Sequence, residues 1–274
     1  TISGQLPLPF PRQFILSLDD QIAENGYASY LLGEHNKEGF YLYYLIAILV
    51  KSPVALILLP VVAWFAKPKL HSREIPYVAL TAFLFIFFSA AKHKNVGVRY
   101  LLFSYPLLAI WIGRILKPDV PERVPSKFVS LMLAIGAFSA VFGTLLSWPH
   151  YIAYFNLLSG GPKNGYKYLL DSNLDWGQDL IELREYLDAK NLPDIELAYA
   201  GRVRPELYGI HYSTLKGLPT KQHVAVSVNL LWGRPYFVNG TPFWPKDPDT
   251  YRYLRNQKPE AILGHTIYVF DLSK

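Results

Sequence analysis

The sequence contains one apolar run long enough to organise the fold, residues 40–66: FYLYYLIAILVKSPVALILLPVVAWFA. Its only charged residue is Lys51. At 1.5 Å per residue the run measures about 40 Å, which predicts one tilted or kinked transmembrane helix. Pro53 and Pro60 would supply the kinks.

Three further apolar runs follow this first one. Residues 75–91 and 128–148 are uncharged, and residues 100–116 carry only Arg114. Charged residues make up 18% of the chain, whereas soluble domains contain about 25%. These runs predict an α-helical integral membrane protein with about four transmembrane helices, at residues 40–66, 75–91, 100–116 and 128–148.

The polarity of the sequence changes on both sides of this region. Residues 1–39 form a polar N-terminal segment, residues 40–149 the transmembrane region, and residues 150–274 a soluble α/β domain. In the last, an apolar stripe predicts a helix at about 178–189. Runs rich in β-branched and aromatic residues predict strands at 195–200, 223–229 and 266–272.

The charges of the short loops predict the orientation in the membrane. The loops at 67–74 and 114–127 together hold seven Lys and Arg residues, against three in the loop at 92–99. Because cytoplasmic loops carry the excess of positive charge, the first two loops are expected in the cytoplasm. The N-terminal segment and the C-terminal domain would then be extracytoplasmic, on a protein of the cell membrane.

Composition and motifs exclude several classes of function. There is no cysteine, so neither a disulfide nor a thiolate metal site can form. The seven histidines include no i, i+4 pair, and we expect no metal and no cofactor. The net charge of +6 comes from basic residues beside apolar runs, which favours membrane lipid over nucleic acid as a partner.

The start of the chain leaves two alternatives open. The chain begins at Thr1, its single methionine is Met132, and no signal-peptide pattern is present. Either the N-terminus was processed, or the chain is the C-terminal part of a longer protein.

Lys51 is the first candidate binding residue, because it lies near the middle of a predicted span. A lysine there costs about 2.5–3.5 kcal/mol and usually faces a cavity or a partner. One interpretation is a contact with the phosphate of a lipid-linked substrate. The alternative is that the span begins near Ser52 and that the Lys51 side chain reaches the interface.

The loop at 92–99 supplies three more candidates, Lys92, Lys94 and Arg99. Several cations at the depth of the lipid headgroups suit a phosphodiester or pyrophosphate, and arginine can bind phosphate in a bidentate manner. The alternative is non-specific binding of headgroups by a basic loop.

The stretch at 171–179, DSNLDWGQD, opens the main helix of the C-terminal domain. Its acidic residues could stabilise the N-terminal end of that helix, where negative charge is favourable. Alternatively, Asp171, Asp175 and Trp176 could bind a sugar by hydrogen bonds and ring stacking. A calcium loop is a third alternative, but Trp176 occupies the sixth position, where that pattern requires glycine.

Five stretches in this order carry a family resemblance: 25–33, 43–53, 95–100, 154–162 and 171–179. The chain resembles, as far as about Gly209, the C-terminal half of prokaryotic glycosyltransferase family 39 membrane proteins, which are relatives of the protein O-mannosyltransferases. The stretch at 171–179 is the most specific part.

The resemblance implies a GT-C-like fold and an enzyme that transfers a sugar from a polyprenyl-phosphate donor to a protein, lipid or glycan. It also implies donor-phosphate binding by Lys51 and the loop at 92–99, and a structural or acceptor role for the stretch at 171–179. The catalytic acidic loop of the family is not in this sequence, so no catalytic residue is assigned. The alternative is a non-catalytic accessory subunit of a membrane complex, bound to other membrane subunits.

Overall fold

The structure is a computed structural model that describes residues 11–23, 28–66, 72–90, 95, 97–113, 125–234, 238–241, 245 and 247–273. Its helices are α1 (Arg12–Ala23), α2 (Tyr43–Lys51), α3 (Val54–Ala66), α4 (Ile75–Ala90), α5 (Ser104–Gly113), α6 (Ser126–Leu146), α7 (Leu180–Ala189) and α8 (Val228–Leu231). Its strands are β1 (Ser29–Leu31), β2 (Glu34–Asn36), β3 (Ile195–Ala198), β4 (Tyr212–Thr214), β5 (His223–Ser227), β6 (Ala261–Leu263) and β7 (Ile267–Asp271).

The prediction of an α-helical, GT-C-like membrane protein with about four transmembrane helices is wrong. Among the described residues, only Lys127–Leu146 forms a helix long and apolar enough to cross a membrane. The number rises to two if the bent pair α2 and α3 is counted as one span. The rest of the described chain includes a five-stranded sheet, so the fold is mixed α/β.

The apolar run at 40–66 does not form one continuous helix. It breaks between Lys51 and Val54, where α2 and α3 meet at a bend of 112°. Pro53 lacks a backbone N–H and disfavours a helical residue before it, which explains the position of the break.

The other two apolar runs form short helices. The 16 residues of α4 measure about 24 Å, less than the thickness of the hydrocarbon core. The run at 100–116 begins in a 3-10 turn, Val98–Leu101, and within its described part, which ends at Gly113, the 10 residues of α5 follow as α-helix.

A mixed sheet with the strand order β4-β3-β5-β7-β6 forms the centre of the C-terminal domain. Strand β3 pairs in parallel with β4 and β5, whereas β7 pairs antiparallel with β5 and β6. The predicted strands at 195–200, 223–229 and 266–272 are confirmed as β3, β5 and β7, each slightly shorter. The predicted helix at 178–189 is confirmed as α7, which begins two residues later.

Both faces of this sheet are covered. On one face, Leu180, Leu183 and Leu187 of α7 pack against inward residues such as Leu197 and Val269. On the other face, strand residues such as Val226 and Phe270 share a core with Tyr43, Tyr44 and Ala47 of α2. Helix α2 therefore buries Tyr43, Tyr44 and Ala47 in a protein core, whereas its Leu45 and Leu49 are 42% and 41% exposed.

Helices α3, α5 and α6 pack together in a separate, smaller cluster. Leu59, Ala63, Ile112 and Val129 are its buried residues. Gly136 of α6 allows the close approach to α3, since a Cβ there would lie 2.6 Å from the Ala55 Cβ. Most of α6 faces outward: the apolar window within Lys127–Leu146 is only 17% buried.

One glycine in the stretch at 171–179 is required by its surroundings. Gly177 has a φ of +76°, and a Cβ there would collide with the ring and hydroxyl of Tyr199. The Tyr199 hydroxyl in turn donates a hydrogen bond to the Gly177 carbonyl at 2.7 Å. The turn before α7 is thus fixed against the end of β3.

Replacement of Gly177 tests this packing. We expect Gly177→Ala to lower the free energy of unfolding by about 2–4 kcal/mol, because it adds both left-handed strain and a steric clash. Chemical denaturation measures the change. The control is Gly217→Ala, where no atom lies within 4 Å of the added Cβ and a change within about 0.5 kcal/mol is expected. Equal losses in both variants would contradict the role assigned to Gly177.

Candidate sugar-phosphate site

The stretch at 171–179 is folded by its own polar side chains rather than by regular structure. It begins with the 3-10 turn Asp171–Asn173 and ends where α7 starts. Asp171 has a φ of +61°, a conformation that aspartate tolerates better than most residues. The Asp171 carboxylate accepts the backbone N–H of Ser172 at 2.6 Å, which stabilises the turn.

Asn173 ties this stretch to two distant parts of the chain. Its side chain is buried, and its amide donates to the Tyr43 hydroxyl at 2.8 Å. Its side-chain oxygen accepts the backbone N–H of Val98 at 3.0 Å. The 3-10 turn Val98–Leu101 and helix α2 therefore both meet the stretch at 171–179 at one residue.

Lys51, predicted to bind a substrate phosphate, lies at the same junction. Its ammonium donates to the carbonyl oxygens of Ile152 at 2.8 Å and Asn173 at 2.5 Å. It also lies 4.5 Å from the centroid of the Phe155 ring. In this arrangement the ammonium binds backbone carbonyls and joins the C-terminal end of α2 to the stretch at 171–179.

Asp171, predicted as a possible sugar ligand, is paired with Arg234. The Nε and Nη2 atoms of Arg234 donate to the same carboxylate oxygen at 3.0 and 2.6 Å. Arg234 also donates to the carbonyl of Ala28 at 2.8 Å. Sequence reasoning missed Arg234, since an isolated arginine 63 residues away carries no signal of this pairing.

Asp175 lies in the interior, where one carboxylate oxygen accepts the backbone N–H of Gly177 at 2.8 Å. Burial raises the pKa of Asp175 to about 7, and hydrogen bonds from Gly177 and Ser227 only partly oppose this rise. This carboxyl group holds the turn, and its burial keeps it from contact with a ligand in solvent.

Arg99 and Trp176 form the exposed part of the predicted site. The Arg99 guanidinium lies 5.0 Å from the centroid of the Trp176 ring and 5.3 Å from that of Tyr100. The indole N–H of Trp176 donates to the Ser172 carbonyl at 3.2 Å, which orients the ring, and the side chain is 51% exposed. The sequence placed these two residues 77 positions apart, and the Asn173 junction brings them together.

The remaining predicted residues and alternatives have the following outcome. Lys92 and Lys94 lie outside the described residues. Asp179 is the N-cap residue of α7 but makes no side-chain capping hydrogen bond. The three carboxylates of the stretch have different partners: Arg234 for Asp171, Gly177 for Asp175, and Thr266 for Asp179. They do not form one calcium-binding loop.

We expect calcium to leave the thermal midpoint of the protein unchanged, because calcium requires several converging oxygen ligands. Differential scanning calorimetry with millimolar calcium, and with magnesium as the control ion, measures this. A rise in midpoint with calcium alone would contradict the separation of the three carboxylates.

The raised pKa of Asp175 predicts a pH dependence of stability. Between about pH 4 and pH 7 the folded protein holds a proton that the unfolded chain releases, so the free energy of unfolding falls as the pH rises. Asparagine cannot ionise, so Asp175→Asn should reduce this fall by at least about 1 kcal/mol. Denaturation at pH 4.5 and pH 7.5 measures the difference.

The control for this prediction is Asp188→Asn, which changes a carboxylate that is 57% exposed. In this control variant the free energy of unfolding should change between pH 4.5 and pH 7.5 by the same amount as in the unaltered protein. If the free energy of unfolding falls as much between pH 4.5 and pH 7.5 in Asp175→Asn as in the unaltered protein, the raised pKa of Asp175 is contradicted.

Comparisons with protein-family profiles, with curated proteins and with solved structures found no match. The side-chain contacts described above therefore carry the functional argument. Among the predicted binding residues that the structure describes, Arg99 and Trp176 are exposed and in contact with each other.

Proposed function

We propose that this chain forms the donor-binding part of a membrane-bound glycosyltransferase, which transfers a sugar from a polyprenyl-phosphate donor to a protein, lipid or glycan acceptor. The observation that carries the proposal is the exposed Arg99 guanidinium stacked over the exposed Trp176 ring. The resemblance to glycosyltransferase family 39 supports the identity of the donor.

The chemistry of this pair suits a sugar linked to phosphate. A guanidinium donates two parallel hydrogen bonds to phosphate oxygens, and its charge persists at every physiological pH. The face of an indole ring packs against the C–H groups of a sugar, and the face of Trp176 opposite Arg99 can do so. The hydrogen bond from the indole N–H to the Ser172 carbonyl holds the ring in place. The two side chains together can bind both halves of a sugar phosphate.

The surroundings of Arg99 suit the lipid part of the donor. The 3-10 turn that contains Arg99 continues through Leu102 and Phe103 into α5, and these two side chains are 57% and 43% exposed. Exposed apolar side chains beside a phosphate-binding arginine fit a phosphate with an isoprenoid tail better than a free nucleotide.

Attachment to the cell membrane is part of the proposal, and the outward-facing apolar residues of α6 support it. Its apolar residues face outward, with Phe138 and Leu145 each 68% exposed. Trp148 and Tyr151 follow its C-terminal end with their rings 6.0 Å apart, the pattern of an interfacial aromatic belt.

The internal contacts of the other candidates favour a second function, that of a non-catalytic accessory subunit. Lys51, Asp171 and Asp175 contact carbonyls, Arg234 and a backbone N–H, all within the chain. A surface with few exposed polar side chains suits a structural partner of other membrane subunits better than an acceptor site.

Binding of a short donor analogue separates the two functions. Farnesyl phosphate, titrated into the full chain in detergent micelles, should bind at least tenfold more tightly than farnesol, which lacks the phosphate. Arg99→Ala removes a charge-assisted contact of about 1.5–3 kcal/mol, so we expect it to weaken farnesyl phosphate binding about tenfold or more. Isothermal titration calorimetry measures both.

The matched control is Arg252→Ala, which removes an equally charged side chain that is 74% exposed. This control variant should bind farnesyl phosphate as the unaltered chain does. A further variant, Trp176→Ala, should bind a glycosylated analogue of the donor more weakly than the unaltered chain does. Equal affinities for farnesyl phosphate and farnesol would contradict the proposed donor site and favour the accessory subunit. An unchanged affinity of Arg99→Ala for farnesyl phosphate would have the same meaning.

A further inference from the structure

A second cluster of side chains, His150, Asp179 and Glu182, has no part in the proposed donor site. His150 follows the C-terminal end of α6, whereas Asp179 and Glu182 lie one turn apart at the start of α7. The Nδ1 atom of His150 is 3.4 Å from a carboxylate oxygen of Asp179. Its Nε2 atom is 2.9 Å from a carboxylate oxygen of Glu182.

The Asp179 carboxylate is held in one position. Its side chain is 2% exposed, and its second oxygen accepts the Thr266 hydroxyl at 2.5 Å. A Cβ at Gly264 would collide with this carboxylate, so the glycine makes room for it. Asp179 can therefore accept the Nδ1–H of His150 and fix both the tautomer and the orientation of the ring.

This is the usual surrounding of a histidine that binds a metal. Such a histidine donates one ring N–H to a carboxylate and binds the ion through the other nitrogen. The free nitrogen here is Nε2, and it faces Glu182. The separation of 2.9 Å is close to the distance of about 3.3 Å between two ligands of a tetrahedral zinc ion.

Two further features complete the site. The Glu182 side chain is 30% exposed, which leaves an opening through which an ion can enter and water can bind. The ring of His265 packs edge-on against that of His150 with the centroids 5.7 Å apart. This contact helps to hold the His150 ring in place.

We propose that this cluster binds a divalent transition metal of the zinc class, through His150 Nε2 and the Glu182 carboxylate, with Asp179 as the positioning residue. Water would supply the further ligands. An imidazole nitrogen selects zinc, cobalt or nickel over calcium and magnesium, which prefer oxygen ligands. The metal would join the end of α6 to the start of α7.

Cobalt is the probe for this site, because its visible absorption reports the ligands directly. The full chain, freed of metal with a chelator, is titrated with Co²⁺ and then with Zn²⁺ as a competitor. We expect one saturable site, and an affinity for Co²⁺ at least tenfold lower in His150→Gln and in Glu182→Gln. Asp179→Asn should lower it about 10–100-fold, the usual effect of losing the carboxylate that orients a ligand histidine.

The matched control is Glu185→Gln, the same change on the exposed side of α7, which should bind Co²⁺ as the unaltered chain does. Circular dichroism shows whether each variant folds. If His150→Gln does not fold, the Co²⁺ affinity of Glu182→Gln tests the metal site. Absence of saturable Co²⁺ binding would overturn the proposal and leave His150 as a structural contact of two carboxylates. Equal affinities in Glu182→Gln and Glu185→Gln, or calcium binding as tight as zinc binding, would also overturn it.

Discussion

The buried amide of Asn173 is the interaction on which the rest of the structure depends. It joins the Tyr43 hydroxyl of α2, the backbone N–H of Val98 and, through its own carbonyl, the Lys51 ammonium. An amide has two donor hydrogens and an acceptor oxygen, so one buried side chain can join several chain segments at once. Loss of this side chain would leave several of these groups without partners. Each unpaired polar group in the interior costs about 1–3 kcal/mol.

The exposed surface follows from this junction. The polar groups nearest to Asn173 are directed inward, and Lys51 and Asp175 are engaged with backbone atoms. Among the predicted binding residues that the structure describes, only Arg99 and Trp176 are exposed to solvent. The same network that removes most candidates from solvent therefore places a cation over an aromatic ring in a defined geometry.

The sequence predicted the strands and helix of the C-terminal domain because both sheet faces are buried. Strands β5 and β7 form short, continuous apolar runs, and α7 has a helical stripe of leucines. The number of transmembrane helices was wrong, because hydropathy counts apolar residues without showing what covers them. In the sequence, Tyr43 and Tyr44 belong to an apolar run like that of a lipid-facing helix. In the structure, both side chains are only 1% exposed, within a protein core.

The candidate site was predictable only in part. Arg99 and Trp176 belong to recognisable stretches, but their contact depends on the long-range pairing through Asn173. His150 and Arg234 carried no local signal. A histidine just after an apolar run acquires its two carboxylate partners only when α6 and α7 come together.

The contact between Lys51 and Asn173 spans 122 residues of sequence. During synthesis at about 5–20 residues per second, α2 therefore waits roughly 6–24 s before its partner leaves the ribosome. Throughout that interval Tyr43 and Tyr44 lack the core in which they are buried, and a nascent chain in this state is prone to aggregation. Such a delay favours early contact with a chaperone or a lipid surface, and it makes the order of translation a determinant of correct folding.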